Sequence, residues 1–187
     1  MVGADGLGRC AWAGSAPDYL DYHDHEWGTP VHGETPLFER LTLEGFQSGL
    51  SWLTILRKRE AFRAAFAGFD ADAVARFDDR DVERLMADAS IVRNRLKIRA
   101  AIANAAAVQR LRALGGLEEV LWSSAPAHHT PPAGLADVPA STPASVELTR
   151  TLKSHGFVWV GPTTMYAAMQ ACGMVNDHVR GCHRSAG

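Results

Sequence analysis

The chain has 187 residues, of which 47% are hydrophobic and 21% are charged, a composition typical of a globular protein with one core. Its formal net charge is −2, so binding of nucleic acid would require a local basic patch rather than a basic molecule. Three cysteines, no secretory signal in residues 1–9 and no apolar run of membrane-spanning length argue against a disulfide framework and a membrane partner. They predict a cytoplasmic protein, and the length predicts a single domain over residues 1–187.

The N-terminal part of the chain contains an unusual group of polar and aromatic residues. Small, glycine-rich residues predict a disordered leader over residues 1–8, and Pro17 can then open a short helix or turn. In residues 22–28 two large aromatic residues flank four polar ones. This pattern matches neither the two-residue period of a strand nor the helical period of a core segment, so it indicates a functional site.

Cysteines and histidines near both ends of the chain predict a metal site. Twelve residues separate Cys10 from His23, and three separate His178 from Cys182, a spacing that lets both reach one ion from one helical turn. This Cys2His2 set would fill the four positions of zinc and leave none for a water, which predicts one structural ion between segments 10–23 and 178–182. Each residue taken alone is more typical of an ordinary core or surface position. Other possible ligands are His25, His32, His183 and Cys172.

Local start and stop signals predict helices along the rest of the chain. A helix begins at Thr35-Pro36, and Gly45 and Gly49 are expected to interrupt it near Glu44 and Trp52. Further helices are predicted over residues 51–66, 70–77, 79–88, from about 97 to 114, and over 117–122, 142–156 and 161–173. Residues 123–140 form a long loop, and the apolar run 157–160 has no partner strand. The prediction is an all-α protein.

The segment near residues 88–96 predicts a turn between two helices that binds phosphate. Arg93, Arg95 and Lys97 lie at the start of the second helix, where backbone N–H groups and positive charge can face the same ligand. An exposed basic face on a surface helix explains the spacing equally well.

Four aromatic residues and one carboxylate predict a binding pocket. Trp12, Tyr22, Trp27 and Trp52 lie close in sequence to the metal candidates or to the glycine-rich bend that contains Glu44. Aromatic faces attract cations and stack on flat bases, and a desolvated carboxylate selects positive charge, so the set suits a cationic, planar ligand. A core position is the ordinary alternative for each aromatic residue. No glycine-rich phosphate loop and no Gly-x-Ser-x-Gly motif supports nucleotide hydrolysis or esterase chemistry.

Four separated motifs, in order between Cys10 and Cys182, resemble those of the bacterial DNA-3-methyladenine glycosylase I family. They are Tyr22-His23-Asp24-His25-Glu26-Trp27-Gly28, Leu43-Glu44-Gly45-Phe46-Gln47-Ser48-Gly49-Leu50-Ser51-Trp52, Arg93-Asn94-Arg95-Leu96-Lys97-Ile98, and Val175-Asn176-Asp177-His178 with Gly181-Cys182. The resemblance implies a helix-hairpin-helix glycosylase fold, with the two ends of the chain joined by zinc on Cys10, His23, His178 and Cys182. It also implies excision of N3-methyladenine from alkylated double-stranded DNA by base flipping, with the free base and an abasic site as products.

The resemblance also implies roles for single residues. The damaged base would be held by Trp12, Tyr22, Trp27, Trp52 and Glu44, and Glu44 would support the oxocarbenium-like transition state. DNA contacts would come from the hairpin near residues 88–96, through Ser90, Arg93 and Lys97, with Ser90 where many members have glycine.

Two other functions compete with this one. No lysine is placed to form a Schiff base, so the expected enzyme is monofunctional, without lyase activity, and nothing demands more than a monomer. A zinc-stapled DNA-binding module without catalysis would use the same basic turn. A zinc hydrolase is disfavoured because protein ligands would fill all four zinc positions.

Overall fold

The computed structural model describes residues 1–185, and the last two residues of the predicted domain lie outside that range. Within it the fold is all-helical, as predicted, with one isolated bridge between Val2 and Gly8 and no strand. The helices are α1 (Pro17–His25), α2 (Glu34–Gln47), α3 (Trp52–Ala65), α4 (Ala71–Val74), α5 (Asp79–Ala87), α6 (Arg95–Leu111), α7 (Gly116–Trp122), α8 (Pro143–Ser154) and α9 (Pro162–Ala171). Short 3-10 helices occupy Ala11–Ser15, Ala67–Phe69, Arg112–Leu114 and Leu135–Asp137. None of the helices in the described range is both long and apolar enough to cross a membrane.

The helix starts follow the local signals in the sequence. The Ser51 hydroxyl accepts a hydrogen bond from the Thr54 N–H at 3.3 Å, and the Thr142 hydroxyl caps α8 in the same way before Pro143. For α5 the capping residue is Asp78 rather than Asp79, because the Asp78 carboxylate accepts from the N–H groups of Arg80 and Asp81. The predicted helices 51–66 and 142–156 are therefore confirmed to within two residues.

Helix α2 lies at the centre of the fold and contacts α3, α6, α7 and α9. The expected interruption at Gly45 is wrong, since α2 runs unbroken through it to Gln47. A side chain built on Gly45 would meet the Trp159 ring at 3.8 Å, and packing on both sides of α2 outweighs the low helix propensity of one glycine. The bend comes after the helix, at Gly49, whose φ of +84° requires glycine.

The core is one contiguous cluster around α2, α3 and α6. Its largest members are five fully buried phenylalanines, which pack ring against ring. They are Phe38, Phe46, Phe62, Phe66 and Phe69. Because this cluster fixes α2 along its length, the side chains at the C-terminal end of α2 are held in defined positions.

Residues 1–8 form a compact turn rather than the expected disordered leader. The Arg9 guanidinium is 5% exposed and donates hydrogen bonds to the carboxylates of Asp5 and Asp24. The His183 N–H donates to the Gly8 carbonyl at 2.8 Å, which joins this turn to the C-terminal segment. Composition alone missed the order because the buried arginine that organises it bonds to a residue on α1, outside the leader.

Candidate active site and metal centre

Helices α1, α2, α3 and α9 and the 3-10 helix Ala11–Ser15 enclose a cavity of about 260 Å³. The structure brings together all five predicted pocket residues, which are Trp12, Tyr22, Trp27, Glu44 and Trp52. Sequence reasoning missed four others, which are Tyr19, Gln47, Ala167 and Gln170. The volume and the aromatic walls suit one flat, ring-shaped ligand.

The aromatic residues of the pocket pack on one another at their edges. The ring centroids of Trp12 and Trp27 are 5.2 Å apart, with an interplanar angle of 85°. Those of Tyr22 and Trp52 are 5.5 Å apart, with an angle of 42°. Edge-to-face packing of Trp12 on Trp27 and tilted packing of Tyr22 on Trp52 hold these rings in place while their remaining surface lines the cavity. The pocket is therefore largely preformed.

Glu44 is the carboxylate of the pocket. It lies in the last turn of α2, rather than in a bend, and is 5% exposed. Burial raises the pKa of Glu44 to about 8, and the nearby positive charge of Arg40 acts in the opposite direction. A carboxylate in this position would gain from a cationic ligand, because the ligand would replace the solvation that burial has removed.

Two of the missed residues had a signal in the sequence. Tyr19 is one helical turn before Tyr22 on α1, and Gln47 is one turn after Glu44 on α2, so each shares a face with a predicted residue. Gln170 had no such signal, because α9 is distant in sequence and reaches the pocket only in the folded chain.

Gln170 is held in place by a buried carboxylate. Its side-chain amide donates to Asp177 at 2.6 Å, and the Tyr166 hydroxyl donates to the same carboxylate oxygen at 2.6 Å. Asp177 is 2% exposed, so these hydrogen bonds offset the cost of burying its polar group. The segment after α9 therefore supports one wall of the pocket.

Three of the four predicted metal ligands form a buried cluster. The possible ligand atoms of Cys10, His23 and Cys182 lie within 4.8 Å of one another. The Asp24 carboxylate lies 2.8 Å from Nδ1 of His23, which leaves Nε2 of His23 to face the two thiols. Burial lowers the pKa of His23 and raises the pKa of the Cys10 thiol to about 11, so the imidazole is neutral at pH 7. A divalent cation would favour the thiolate.

His178 lies beside this cluster, with its ring centroid 4.8 Å from that of His23. Nδ1 of His178 is 2.8 Å from the Asn176 side-chain oxygen, whereas Nε2 is buried and has no hydrogen-bond partner within residues 1–185. Burial lowers the pKa of His178 to about 4. A neutral imidazole with an unpartnered buried nitrogen fits the requirement of a fourth ligand.

The local structure that carries His178 and Cys182 differs from the expectation. The two residues lie in an irregular turn after α9, and not on one turn of a helix. Gly28 permits the approach of α1 to this turn, since it has φ of +74° and a Cβ there would lie 2.8 Å from the His178 ring. Glycine is needed at position 28 on both counts.

The other possible ligands are placed elsewhere or are bonded to other groups. His25 and His32 are exposed, and Cys172 is buried in the hydrophobic core. Nδ1 of His183 lies 3.0 Å from the Gly8 carbonyl. The cluster of Cys10, His23 and Cys182 beside His178 is therefore the set that the geometry favours.

The cluster of Cys10, His23 and Cys182, with His178 beside it, shares a wall with the pocket. The Trp12 ring lies 5.1 Å from that of His23, and the Trp27 ring lies 4.6 Å from that of His178. A displacement of His23 or His178 would therefore also displace Trp12 or Trp27, which line the cavity.

The predicted hairpin is a turn over residues 88–94 between α5 and α6. Ser90 is exposed, its N–H and hydroxyl donate to Asp88, and its φ is not in the left-handed region, so serine is accommodated without strain. Arg93 is exposed beside the start of α6. Asn94 caps α6 and accepts from the N–H groups of Leu96 and Lys97, so these two are not free for a phosphate.

Lys97 does not face solvent, which corrects its expected contact with DNA. Lys97 is 6% exposed, and its ammonium donates to the carbonyls of Phe46 and Ser48, at 2.8 and 2.5 Å. Desolvation lowers the pKa of Lys97. The lysine therefore caps the C-terminal end of α2, next to Glu44 and Gln47, and positions the pocket.

Comparison with known proteins shows one consistent likeness. The family model described as methyladenine glycosylase matches residues 12–185. The DNA-3-methyladenine glycosylase 1 of Escherichia coli (strain K12) is 47% identical over 179 residues, which cover 93% of this chain and 95% of that protein. A crystal structure of 3-methyladenine DNA glycosylase I superposes with a TM-score of 0.90 at 45% identity, over 94% of this chain and 98% of the other. A variant of 3-methyladenine DNA glycosylase I, in complex with 3-methyladenine, has a TM-score of 0.90 at 33% identity, over 96% of this chain and 98% of the other.

Proposed function

The chain belongs to the methyladenine glycosylase family, and on that premise we propose that it is a DNA-3-methyladenine glycosylase. The enzyme hydrolyses the N-glycosidic bond of N3-methyladenine in alkylated double-stranded DNA and leaves an abasic site. The observation that carries the proposal is the aromatic cavity with the buried carboxylate of Glu44 in its wall. One chain supplies every pocket residue, so a monomer suffices.

The substrate determines how little chemistry the protein must supply. N3-methyladenine in DNA is cationic, so when its bond to C1′ breaks the electron pair moves onto the base and neutralises it. Water then adds to C1′ of the oxocarbenium-like sugar and loses a proton. The leaving group requires no strong acid, and selective binding of the extruded base provides much of the discrimination.

Selectivity arises because neutral adenine gains less than a cation from the same walls. The faces of Trp12, Tyr22, Trp27 and Trp52 attract positive charge, and an ionised Glu44 both pairs with the base and stabilises the sugar cation. The kcat/KM for base release is expected to rise with pH through about 8, because the cationic base requires Glu44 as carboxylate.

A structural zinc ion on Cys10, His23, His178 and Cys182 is part of the proposal. Its support is the buried cluster of three ligands and the unpartnered Nε2 of His178 beside it. The bound ion would hold the turn after α9 against α1 and keep Trp12 and Trp27 in place. It takes no part in the reaction, since four protein ligands leave no position for water.

We further propose that the turn over residues 88–94 receives the DNA backbone, as in a helix-hairpin-helix element. The exposed Ser90 and Arg93 support this role, and the Lys58 ammonium fixes the turn by donating to the carbonyls of Ala89 and Ser90. Phosphate contacts there would hold the duplex while the damaged nucleotide is flipped into the cavity.

Arg93→Met and Lys97→Met are expected to separate DNA contact from structure. Arg93→Met should reduce the slope of log affinity against log salt by about one, with little change in stability, because it removes one phosphate contact. Lys97→Met should leave that slope unchanged and destabilise the fold by about 2 kcal/mol, because two buried hydrogen bonds to a charged group are lost. Salt-dependent binding to duplex DNA and urea unfolding measure the two effects. A smaller salt slope for Lys97→Met would restore its direct role on DNA.

Release of free base from dimethyl-sulfate-treated DNA tests the function. The protein should free 3-methyladenine, detected by chromatography, and produce abasic sites without strand breaks beyond those that abasic sites give spontaneously. Borohydride should trap no protein–DNA adduct, because no lysine lines the cavity. Salt-dependent DNA binding without base release would instead identify a DNA-binding module, and a trapped adduct would contradict the monofunctional mechanism.

A further inference from the structure

An arginine outside the cavity lies on the same helix as the carboxylate of the pocket. Arg40 precedes Glu44 by one turn on α2, and its side chain is 12% exposed. Arg40 does not line the cavity. A guanidinium in this position can influence the pocket only through Glu44 and its neighbours.

The guanidinium of Arg40 is anchored on one side only. Its Nη2 donates to Glu26 at 2.9 Å, and Glu26 also accepts two hydrogen bonds from Arg59, at 2.5 and 2.8 Å. Burial acts to raise the pKa of Glu26, but the hydrogen bonds from Arg59 and Arg40 outweigh it and lower that pKa to about 2. Glu26 is therefore a carboxylate over the whole working range, and it holds two arginines.

The other nitrogen of Arg40 has no such anchor. Nη1 is buried and has no hydrogen-bond partner within residues 1–185. A buried guanidinium nitrogen is nearly always paired, so leaving this one unpaired costs stability. Besides its partner Glu26, the groups that feel the charge of Arg40 are Glu44 on the same helix, Tyr22 on α1 and Cys172 at the end of α9.

The charge state of Glu44 depends on its burial and on these neighbouring groups. Burial disfavours the carboxylate of Glu44, whereas a cationic base requires it, and neither the Tyr22 hydroxyl nor the Cys172 thiol carries a charge at pH 7. Arg59 on α3 is fully engaged by Glu26. Arg40 is therefore the cation next to Glu44, placed outside the cavity, where it repels the bound base less than a lining residue would.

We propose that Arg40 is a positioning residue that favours the carboxylate form of Glu44 against the effect of burial, so that the pair sets the pH range over which the cationic base is released. The inference rests on the proposed function and deepens it. Glu26 and Arg59 act on Glu44 indirectly. Arg59 donates to Glu26, and Glu26 fixes the guanidinium of Arg40 in place.

Arg40→Gln and Arg40→Lys test the proposal as a pair. Glutamine can still donate to Glu26 but carries no charge, so the acidic limb of kcat/KM for base release should move up by about one pH unit. The activity would then fall about tenfold at pH 7 and recover above pH 9. Lysine keeps the charge and should keep the limb within a few tenths of a unit. Arg57→Gln, at an exposed arginine that donates to Asp18, is the control and should leave the profile unchanged.

A spectroscopic titration of Glu44 tests the effect of Arg40 without relying on catalytic activity. The carboxyl resonance of Glu44 in 13C-glutamate-labelled protein, assigned with Glu44→Gln, should titrate about one unit higher in Arg40→Gln than in the parent. Equal titration of Glu44 in the two proteins, or a loss of activity by the same factor at every pH, would overturn the proposal. If the parent freed no base but Glu44 still titrated higher in Arg40→Gln, the proposed function would fail and the electrostatic role of Arg40 would stand.

Discussion

Glu44→Gln is expected to lower the rate of 3-methyladenine release at least about 100-fold and, at the same time, to stabilise the folded protein. The rate falls because the variant loses the charge that pairs with the cationic base and with the developing sugar cation, and one preorganised electrostatic group is typically worth that much. The side chain keeps its size, so the cavity keeps its shape.

The stability of this variant has a definite pH dependence. The pKa of Glu44 is raised to about 8 in the folded protein, above its unfolded value. Below the unfolded pKa the carboxyl is protonated in both states and costs no stability. As the pH rises from the unfolded pKa through the folded pKa, ionisation increasingly favours the unfolded state, and the folded protein loses stability. Glutamine does not ionise, so Glu44→Gln should match the parent near pH 4 and exceed it by roughly 3 to 5 kcal/mol at pH 8 and above. Urea unfolding at several pH values measures this difference.

Glu39→Gln is the matched control on the same helix. Glu39 is 8% exposed but accepts three hydrogen bonds from Arg63, so the same substitution there should destabilise the protein and leave base release intact. If Glu44→Gln released base at the parental rate, Glu44 would have no part in recognition or catalysis. A loss of activity accompanied by a loss of stability would point to a structural role instead.

Cys182→Ala is expected to remove the zinc and to destabilise the protein by more than about 3 kcal/mol. The purified parent should contain about one zinc per chain, because the buried cluster of Cys10, His23 and Cys182 has the unpartnered Nε2 of His178 beside it as the proposed fourth ligand. Binding of a structural zinc contributes directly to the free energy of folding, so loss of one ligand should show both in metal content and in thermal unfolding. Base release should fall as well, since Trp12 and Trp27 pack on the histidines of the cluster.

Cys172→Ala supplies the control for this second experiment. Cys172 is 1% exposed and lies in the hydrophobic core, so the variant should lose some packing energy and keep its zinc. Metal analysis and chelator competition on both variants measure whether Cys182→Ala loses zinc while Cys172→Ala keeps it. Full zinc content in Cys182→Ala would remove Cys182 from the ligand set. A Cys10→Ala protein that folded normally and lost only turnover would revive a catalytic zinc.

The sequence by itself determined the family, the all-helical class and most helix starts. Capping depends on residues within one turn of each other, such as Ser51 with Thr54 or Thr142 with Ser145, so a linear pattern contains the whole interaction. The five pocket residues were also found from sequence, because motif spacing and the chemistry of aromatic and carboxylate groups identify them without coordinates.

Only the tertiary structure decided which polar groups point inward and what they bond. Lys97 was expected on DNA and instead caps α2, because its partners at residues 46 and 48 lie some fifty positions earlier in the chain. Gln170 joined the pocket through helix packing that no local pattern encodes. The spacing of Arg40 and Glu44 on α2 is local, but only the packed chain buries both side chains and so couples their charges. Burial and long-range pairing are properties of the packed chain, and they set charge states and side-chain directions that local sequence leaves open.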